Sequence, residues 1–207
     1  MTEDREYIQS FFREYAGIYD IVSLPLAGVR KKAANMVKAQ NGAKVLDVAT
    51  GTGKQAFAFA RKGFQVTGID FSEEMLAIAR RKNRYRNLKL ETGDATNLPY
   101  ANDQFDITCI SYALHDMPLS FRGQVLAEMV RVTRPAGTIL VIDYALPRFL
   151  IIKQIAHAFI KSFESKYYPD FIKNDLPALM EKSGIRIEEE RGVFCGAGRI
   201  IKGSKAG

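Results

Sequence analysis

From residue 43 onward, short apolar runs alternate with segments of helical periodicity. That alternation points to a parallel sheet with helices packed on both faces, because each parallel pair needs a crossover and a helix is the usual one. Strands are expected at 43–49, 64–69, 88–92, 105–110 and 138–143. Helices are expected at 54–62, from a Ser72 cap to about Asn83, and at 121–132. Glu73 and Glu74 fall in the first turn after Ser72, where the helix dipole favours negative charge. Pro135-Ala136-Gly137 reads as a turn before the fifth strand. Beyond it, helices are expected at 150–163 and 175–183, and a closing pair of strands at 185–190 and 193–201 joined by a turn at Arg191-Gly192.

The chain has 207 residues, 47% of them apolar, which suits one domain with one core. Within it, 1–40 is expected to form a helical N-terminal lid, 41–145 a cofactor-binding core, and 146–207 the C-terminal helices and closing strands. The aromatics Tyr7, Phe11, Phe12, Tyr15 and Tyr19 recur at helical spacing, which fits ordinary packing and also a lid over an apolar pocket. No run approaches the roughly 18 apolar residues of a membrane helix, and the start of the chain is polar, so a cytoplasmic protein is expected.

The net charge of +7 permits an anionic partner or peripheral membrane contact. Its densest stretch, Arg80-Arg81-Lys82-Asn83-Arg84-Tyr85-Arg86, falls at an expected helix end, where cations complement the dipole. Cys109 and Cys195 sit apart in apolar surroundings and are expected to be buried thiols, with no spacing that suggests a metal site.

The chemistry concentrates in Val45-Leu46-Asp47-Val48-Ala49-Thr50-Gly51-Thr52-Gly53, a strand ending in a glycine-rich turn at the carboxyl edge where open α/β sheets bind ligands. Gly51-x-Gly53 alone is compatible with a dinucleotide site. Asp47 argues otherwise, since a carboxylate ahead of the first glycine would repel a pyrophosphate yet suit a ligand carrying an ammonium and a sulfonium. A phosphate-binding P-loop is excluded by Val48 at the upstream glycine position and Gln55 at the magnesium-binding one. Asp70, closing the second strand, can accept ribose hydroxyls, and Asp94-Ala95 after the third can meet an adenine edge.

Four stretches carry a resemblance: VLDVATGTG, VTGIDFSEEML, GDATNLPYANDQFDITCISYALHDM and RVTRPAGTILVIDY. In order and spacing they resemble the motifs of class I S-adenosylmethionine-dependent methyltransferases, and the chain is most similar to the branch that methylates ubiquinone and menaquinone precursors. The resemblance implies a doubly wound, Rossmann-like, seven-stranded sheet whose last strand is antiparallel. It implies S-adenosyl-L-methionine as donor and S-adenosyl-L-homocysteine as product. Gly51 and Gly53 would lie under the methionine part, with Asp47 and Ala49 beside them, Asp70 and Phe71 at the ribose, Asp94 and Ala95 at the adenine, Ser111 at the border and Tyr19 above. The chain departs from that branch at Thr50, at Ala56 and at His115-Asp116, where an arginine-asparagine pair is usual.

Methyl transfer from a sulfonium is an in-line displacement that needs alignment and exclusion of water more than a protein nucleophile. The acceptor is expected to be a small aromatic or lipophilic molecule, with Phe11, Tyr15 and His115 facing it. His115 is the candidate general base or a structural histidine of the pocket wall, and His157 is expected to be packing. Nucleic acid is disfavoured because the loop after strand four lacks an Asn/Asp-Pro-Pro-aromatic motif. An RNA or lipid-amine methyltransferase and a non-catalytic donor-binding module remain the alternatives.

Overall fold

In a computed structural model, residues 3, 4, 6, 7, 10, 26–146 and 165–206 are described. Seven strands form one sheet: β1 Lys44–Val48, β2 Gln65–Asp70, β3 Leu88–Thr92, β4 Phe105–Ser111, β5 Thr133–Tyr144, β6 Ile185–Val193 and β7 Gly198–Lys205. Their order is β3-β2-β1-β4-β5-β7-β6, and only β7 runs antiparallel to its neighbours. The helices are α1 Ala27–Met36, α2 Lys54–Ala60, α3 Glu73–Lys82, α4 Leu119–Val132, the short α5 Tyr168–Phe171 and α6 Leu176–Lys182. This is the expected doubly wound sheet with its last strand antiparallel. No described helix is long and apolar enough to cross a membrane.

Alternation along the strands sends successive side chains to two different cores. Val45, Val66, Ile107, Cys109, Leu140 and Ile200 pack with Ala33, Ala34 and Phe59 of α1 and α2. Leu46, Val48, Ile69, Ile110, Val141 and Ile201 pack with Val125, Leu126 and Met129 of α4 and Met180 of α6. β1 lies between β2 and β4, buried on both faces, so its carboxyl end opens onto the middle of the sheet edge. Ser72 caps α3 by accepting a hydrogen bond from the Met75 amide, and Arg80 pairs with Glu73 along that helix.

Three expectations are corrected. The Pro135-Ala136-Gly137 segment is a bulge inside β5: Phe105 pairs with Thr133, but Ile107 pairs with Thr138. Ala136 takes φ +58°, and a Cβ on Gly137 would lie 2.9 Å from the Asp106 and Arg134 carbonyl oxygens, so only glycine lets the bulge close. The closing turn is at 194–197, not at Arg191-Gly192, which pairs with Ile200 and Arg199 in the ladder. Glycine misled here because an edge strand tolerates it, while the real turn uses Phe194, Cys195 and Gly196, all at positive φ. Cys195 is therefore exposed on that turn, whereas Cys109 is buried as expected, its thiol pushed up by burial.

Residues 3–4, 6–7 and 10 are helical, and the Tyr7 ring meets Tyr167 edge-on at 5.7 Å, a packing contact. Phe11, Phe12, Tyr15 and Tyr19, the helix expected at 150–163 and His157 lie outside the described residues.

Candidate functional site

The turn after β1 reverses direction on three residues at positive φ: Ala49 (+51°), Gly51 (+54°) and Gly53 (+81°). A Cβ on Gly53 would lie 2.9 Å from the Phe57 ring, so the start of α2 packs directly on the glycine. Two cavities flank this turn and share Ala49.

The first is narrow and polar, lined by Arg30, Asp47, Ala49, Thr50, Gly51, Thr52, Lys54, Gln55 and Ser111. Asp47 is 1% exposed. Its Oδ2 accepts the Thr50 hydroxyl at 2.5 Å, which gives a buried role to a residue at which the chain departs from the branch it resembles. Asp47 Oδ1 and Ser111 Oγ are buried without a partner. Burial pushes the Asp47 carboxyl up to about 7, against the pull of the Thr50 hydroxyl and the Arg30 charge. A buried carboxylate oxygen without a donor costs free energy that an ammonium group would recover.

The second cavity, of about 190 Å³, is lined by Ala49, Ile69, Asp70, Phe71, Gly93, Asp94, Ala95, Thr96, Met117, Phe121 and Val125. Asp70 is held by two amides, Gly51 N to Oδ2 at 2.7 Å and Ser72 N to Oδ1 at 2.9 Å. These leave further lone pairs on both oxygens. Burial pushes its carboxyl up to about 6 despite those bonds. Asp94 is fixed by its own turn, Oδ1 accepting from the Thr96 amide and hydroxyl at 2.8 and 2.7 Å. The structure thus brings together Asp47, Ala49, Gly51, Asp70, Phe71, Asp94, Ala95 and Ser111 around one turn, with Gly53 directly behind it at the start of α2.

Sequence reasoning missed several lining residues. Arg30 comes from α1, Met117 from the end of the 3₁₀ turn after β4, and Phe121 and Val125 from α4, elements whose place over the pocket only the fold reveals. Thr50 could have been found, since a hydroxyl near a buried acid has an obvious partner.

His115 lies elsewhere, on the 3₁₀ turn Leu114–Asp116 after β4, and lines neither cavity. It is 3% exposed. Its Nδ1 is 2.6 Å from Asp143 Oδ1 and its Nε2 is 3.2 Å from Asp116 Oδ2. Asp143, at the end of β5, also accepts from the Leu114 amide at 3.1 Å and the Tyr144 amide at 2.8 Å. The rings of Tyr144, Phe171 and Tyr168 surround the imidazole at 4.7, 6.1 and 6.4 Å. Arg122 of α4 locks the same turn, donating from Nε to the Leu114 carbonyl at 3.1 Å, from Nη1 to Asp170 at 2.9 Å and from Nη2 to the Tyr167 carbonyl at 3.2 Å.

Comparison with known proteins gives the same direction. A family model described as a methyltransferase domain matches residues 45–137. A ubiquinone/menaquinone biosynthesis C-methyltransferase of Geobacter sulfurreducens is 30% identical over 99% of this chain and 91% of its own length. A demethylmenaquinone methyltransferase of Chlorobaculum parvum is 33% identical, covering 84% of this chain and 74% of its own. Among solved structures, a SAM-dependent methyltransferase of Thermotoga maritima superposes with a TM-score of 0.71 at 20% identity, over 96% of this chain and 99% of that one, a likeness of fold.

Proposed function

The chain belongs to the family of S-adenosylmethionine-dependent methyltransferases represented by those quinone-biosynthesis enzymes, and on that premise we propose that it methylates a ring carbon of a quinone precursor, a small lipophilic aromatic acceptor. The observation that carries the donor half of this reading is the Asp47 oxygen buried without a partner beside Ser111, in a pocket at the glycine turn. Bound S-adenosylmethionine supplies a methyl group already activated on a sulfonium. The protein's part is to grip and align. Asp47 and Ser111 take the amino group and Arg30 supplies a cation for the carboxylate. Asp70 accepts the ribose hydroxyls, and Asp94 and the Ala95 amide meet the adenine. Met117, Phe121 and Val125 cover it with an apolar wall that excludes water. The assignment of Tyr19 to the donor and of Phe11 and Tyr15 to the acceptor rests on the resemblance alone.

Parallel calorimetric titrations with S-adenosylmethionine, S-adenosylhomocysteine and NAD test the donor half. Saturable binding of the first two without NAD is expected, followed by methyl incorporation into a demethylated quinol. NAD binding would overturn the reading, and donor binding without turnover would leave a sensing module. Asp70→Ala is expected to weaken donor binding by about 1–3 kcal/mol, because it strips hydroxyl groups of a buried acceptor. Unchanged affinity would remove Asp70 from the site.

His115 is assigned a positioning role in this reading. Both ring nitrogens already face carboxylate oxygens, and its bond to Asp143 ties the turn after β4 to the end of β5. His115→Ala is expected to lower kcat about tenfold with donor affinity unchanged, and His115→Asn, whose amide can still donate to Asp143, to restore most of it. A general base would lose roughly 10²–10⁴-fold in both variants, along with the acidic limb of the kcat–pH profile. That result would return the proton-accepting role to His115.

A further inference from the structure

Three buried side-chain oxygens without a partner line the narrow polar pocket at the glycine turn: Asp47 Oδ1, Ser111 Oγ and Gln55 Oε1. Asp47 and Ser111 sit near the carboxyl ends of the paired strands β1 and β4, and Gln55 sits in the first turn of α2, which packs on the same face of the sheet. Gln55 is 3% exposed, and its Nε2 donates to the Arg30 carbonyl at 3.4 Å. A carbonyl receives only a donor, so the amide turns its N–H group to α1 and its oxygen is left over. The pocket is about 20 Å³, room for one group the size of a water molecule.

A buried glutamine is ordinarily a packing residue. Packing alone gains nothing from an amide oxygen buried without a donor, and an apolar side chain of the same length would fill the space without that cost. A single ordered water would meet the same three atoms, donating to Asp47 and Gln55 and accepting from Ser111, so hydrogen bonding by itself does not choose the occupant. Charge does. Burial raises the Asp47 carboxyl to about 7 even with the Thr50 hydroxyl and the Ala56 amide beside it, and a neutral water leaves that carboxylate uncompensated where a cation would restore it.

Resting on the donor reading above, we infer that Gln55 is the third acceptor of the donor's amino group, and that Asp47, Ser111 and Gln55 form a cup selecting a free primary ammonium. A primary ammonium carries three N–H donors and no acceptor, and the pocket offers it three oxygens, one of them charged. Three fixed acceptors orient the group as well as neutralise it, which serves the alignment that methyl transfer needs. An acylated amine is refused, because it lacks two of the hydrogens and its substituent has no room in so small a pocket.

The test is calorimetric titration of the whole chain at pH 8 with S-adenosylhomocysteine, with its decarboxylated analogue, which keeps the amine, and with its deaminated analogue, which keeps the carboxylate. Gln55→Met, which fills the same space without an acceptor oxygen, is expected to weaken the two amine ligands about tenfold and leave the deaminated one unchanged. Gln55→Glu keeps an acceptor oxygen but loses the N–H to Arg30, and is expected to hold the amine ligands within about threefold of the unaltered protein. N-acetylated S-adenosylhomocysteine is expected not to compete with the parent ligand. Equal losses on all three ligands in both variants would make Gln55 a packing residue. A loss confined to the deaminated ligand would assign its amide to the donor's carboxylate, and no loss, or competition by the acetylated ligand, would leave the third acceptor to water. Each of these overturns the inference while the donor reading stands. Failure of the unaltered protein to bind any of the three ligands would bring down both.

Discussion

Arg122→Ala is expected to destabilise the fold by about 3–4 kcal/mol, lowering the melting temperature on the order of 10 °C. The side chain is 1% exposed and its partner Asp170 is 55% exposed, so the ion pair itself contributes modestly and the loss arises elsewhere. Removing the guanidinium takes one of two donors from the buried Leu114 carbonyl and from the Tyr167 carbonyl, which keep only the Met117 and Phe171 amides. It also opens a void beside Phe171, whose ring the guanidinium covers at 5.1 Å. Arg122→Lys keeps the charge but not the planar fork, so it should recover less than half of the loss. Because the Leu114 carbonyl belongs to the turn that carries His115, turnover should fall even at temperatures where the variant is folded. Denaturant and thermal unfolding measure the effect. A loss under about 1 kcal/mol would show that the three hydrogen bonds are replaced by water.

What the sequence made legible, and what it did not, divides along one physical line. Features written by local chemistry were readable: the Ser72 cap, the apolar strands, the glycine turn after β1 and the acid closing β2. Asp47 was readable too, because a carboxylate inside an apolar strand is costly and demands a use. Features created by distant elements were not. Arg30 reaches the donor pocket from α1, and Arg122 joins a turn at Leu114 to residues Tyr167 and Asp170. In each case the partners are far apart in sequence and share no periodicity. The Arg191-Gly192 misreading shows the converse failure, in which a strong local turn signal was overruled by pairing with Ile200 and Arg199 across the ladder. His115 stands between the two. Its residue type advertised acid-base chemistry, but Asp143, which holds its Nδ1, lies on another strand.

Donor affinity is expected to fall about a hundredfold between pH 8 and pH 5, and this dependence is the strongest single test of the Asp47 assignment. Burial pushes that carboxyl up to about 7, so in the donor-free protein it is ionised at pH 8 and protonated at pH 5. An ammonium ligand binds the ionised form. Affinity should therefore drop about tenfold per unit below pH 7. Binding at pH 6 should release protons, which titration in two buffers detects. Stability of the donor-free protein should move the other way. Burial holds the Asp47 and Asp70 carboxyls above the ordinary carboxylate range, so their ionisation opposes folding. Their penalty is full above about pH 7 and is relieved as the pH falls toward 4. Asp47→Asn separates these effects: it should bind S-adenosylhomocysteine at pH 8 about as weakly as the unaltered protein does at pH 5, lose most of the pH slope, and melt higher at pH 8. An affinity flat across this range, or a slope that survives in Asp47→Asn, would mean that the buried oxygen beside Ser111 does not meet the donor's amino group. Opposite pH trends in affinity and stability, both abolished by one amide, would tie the cost of burying Asp47 to the ligand that recovers it.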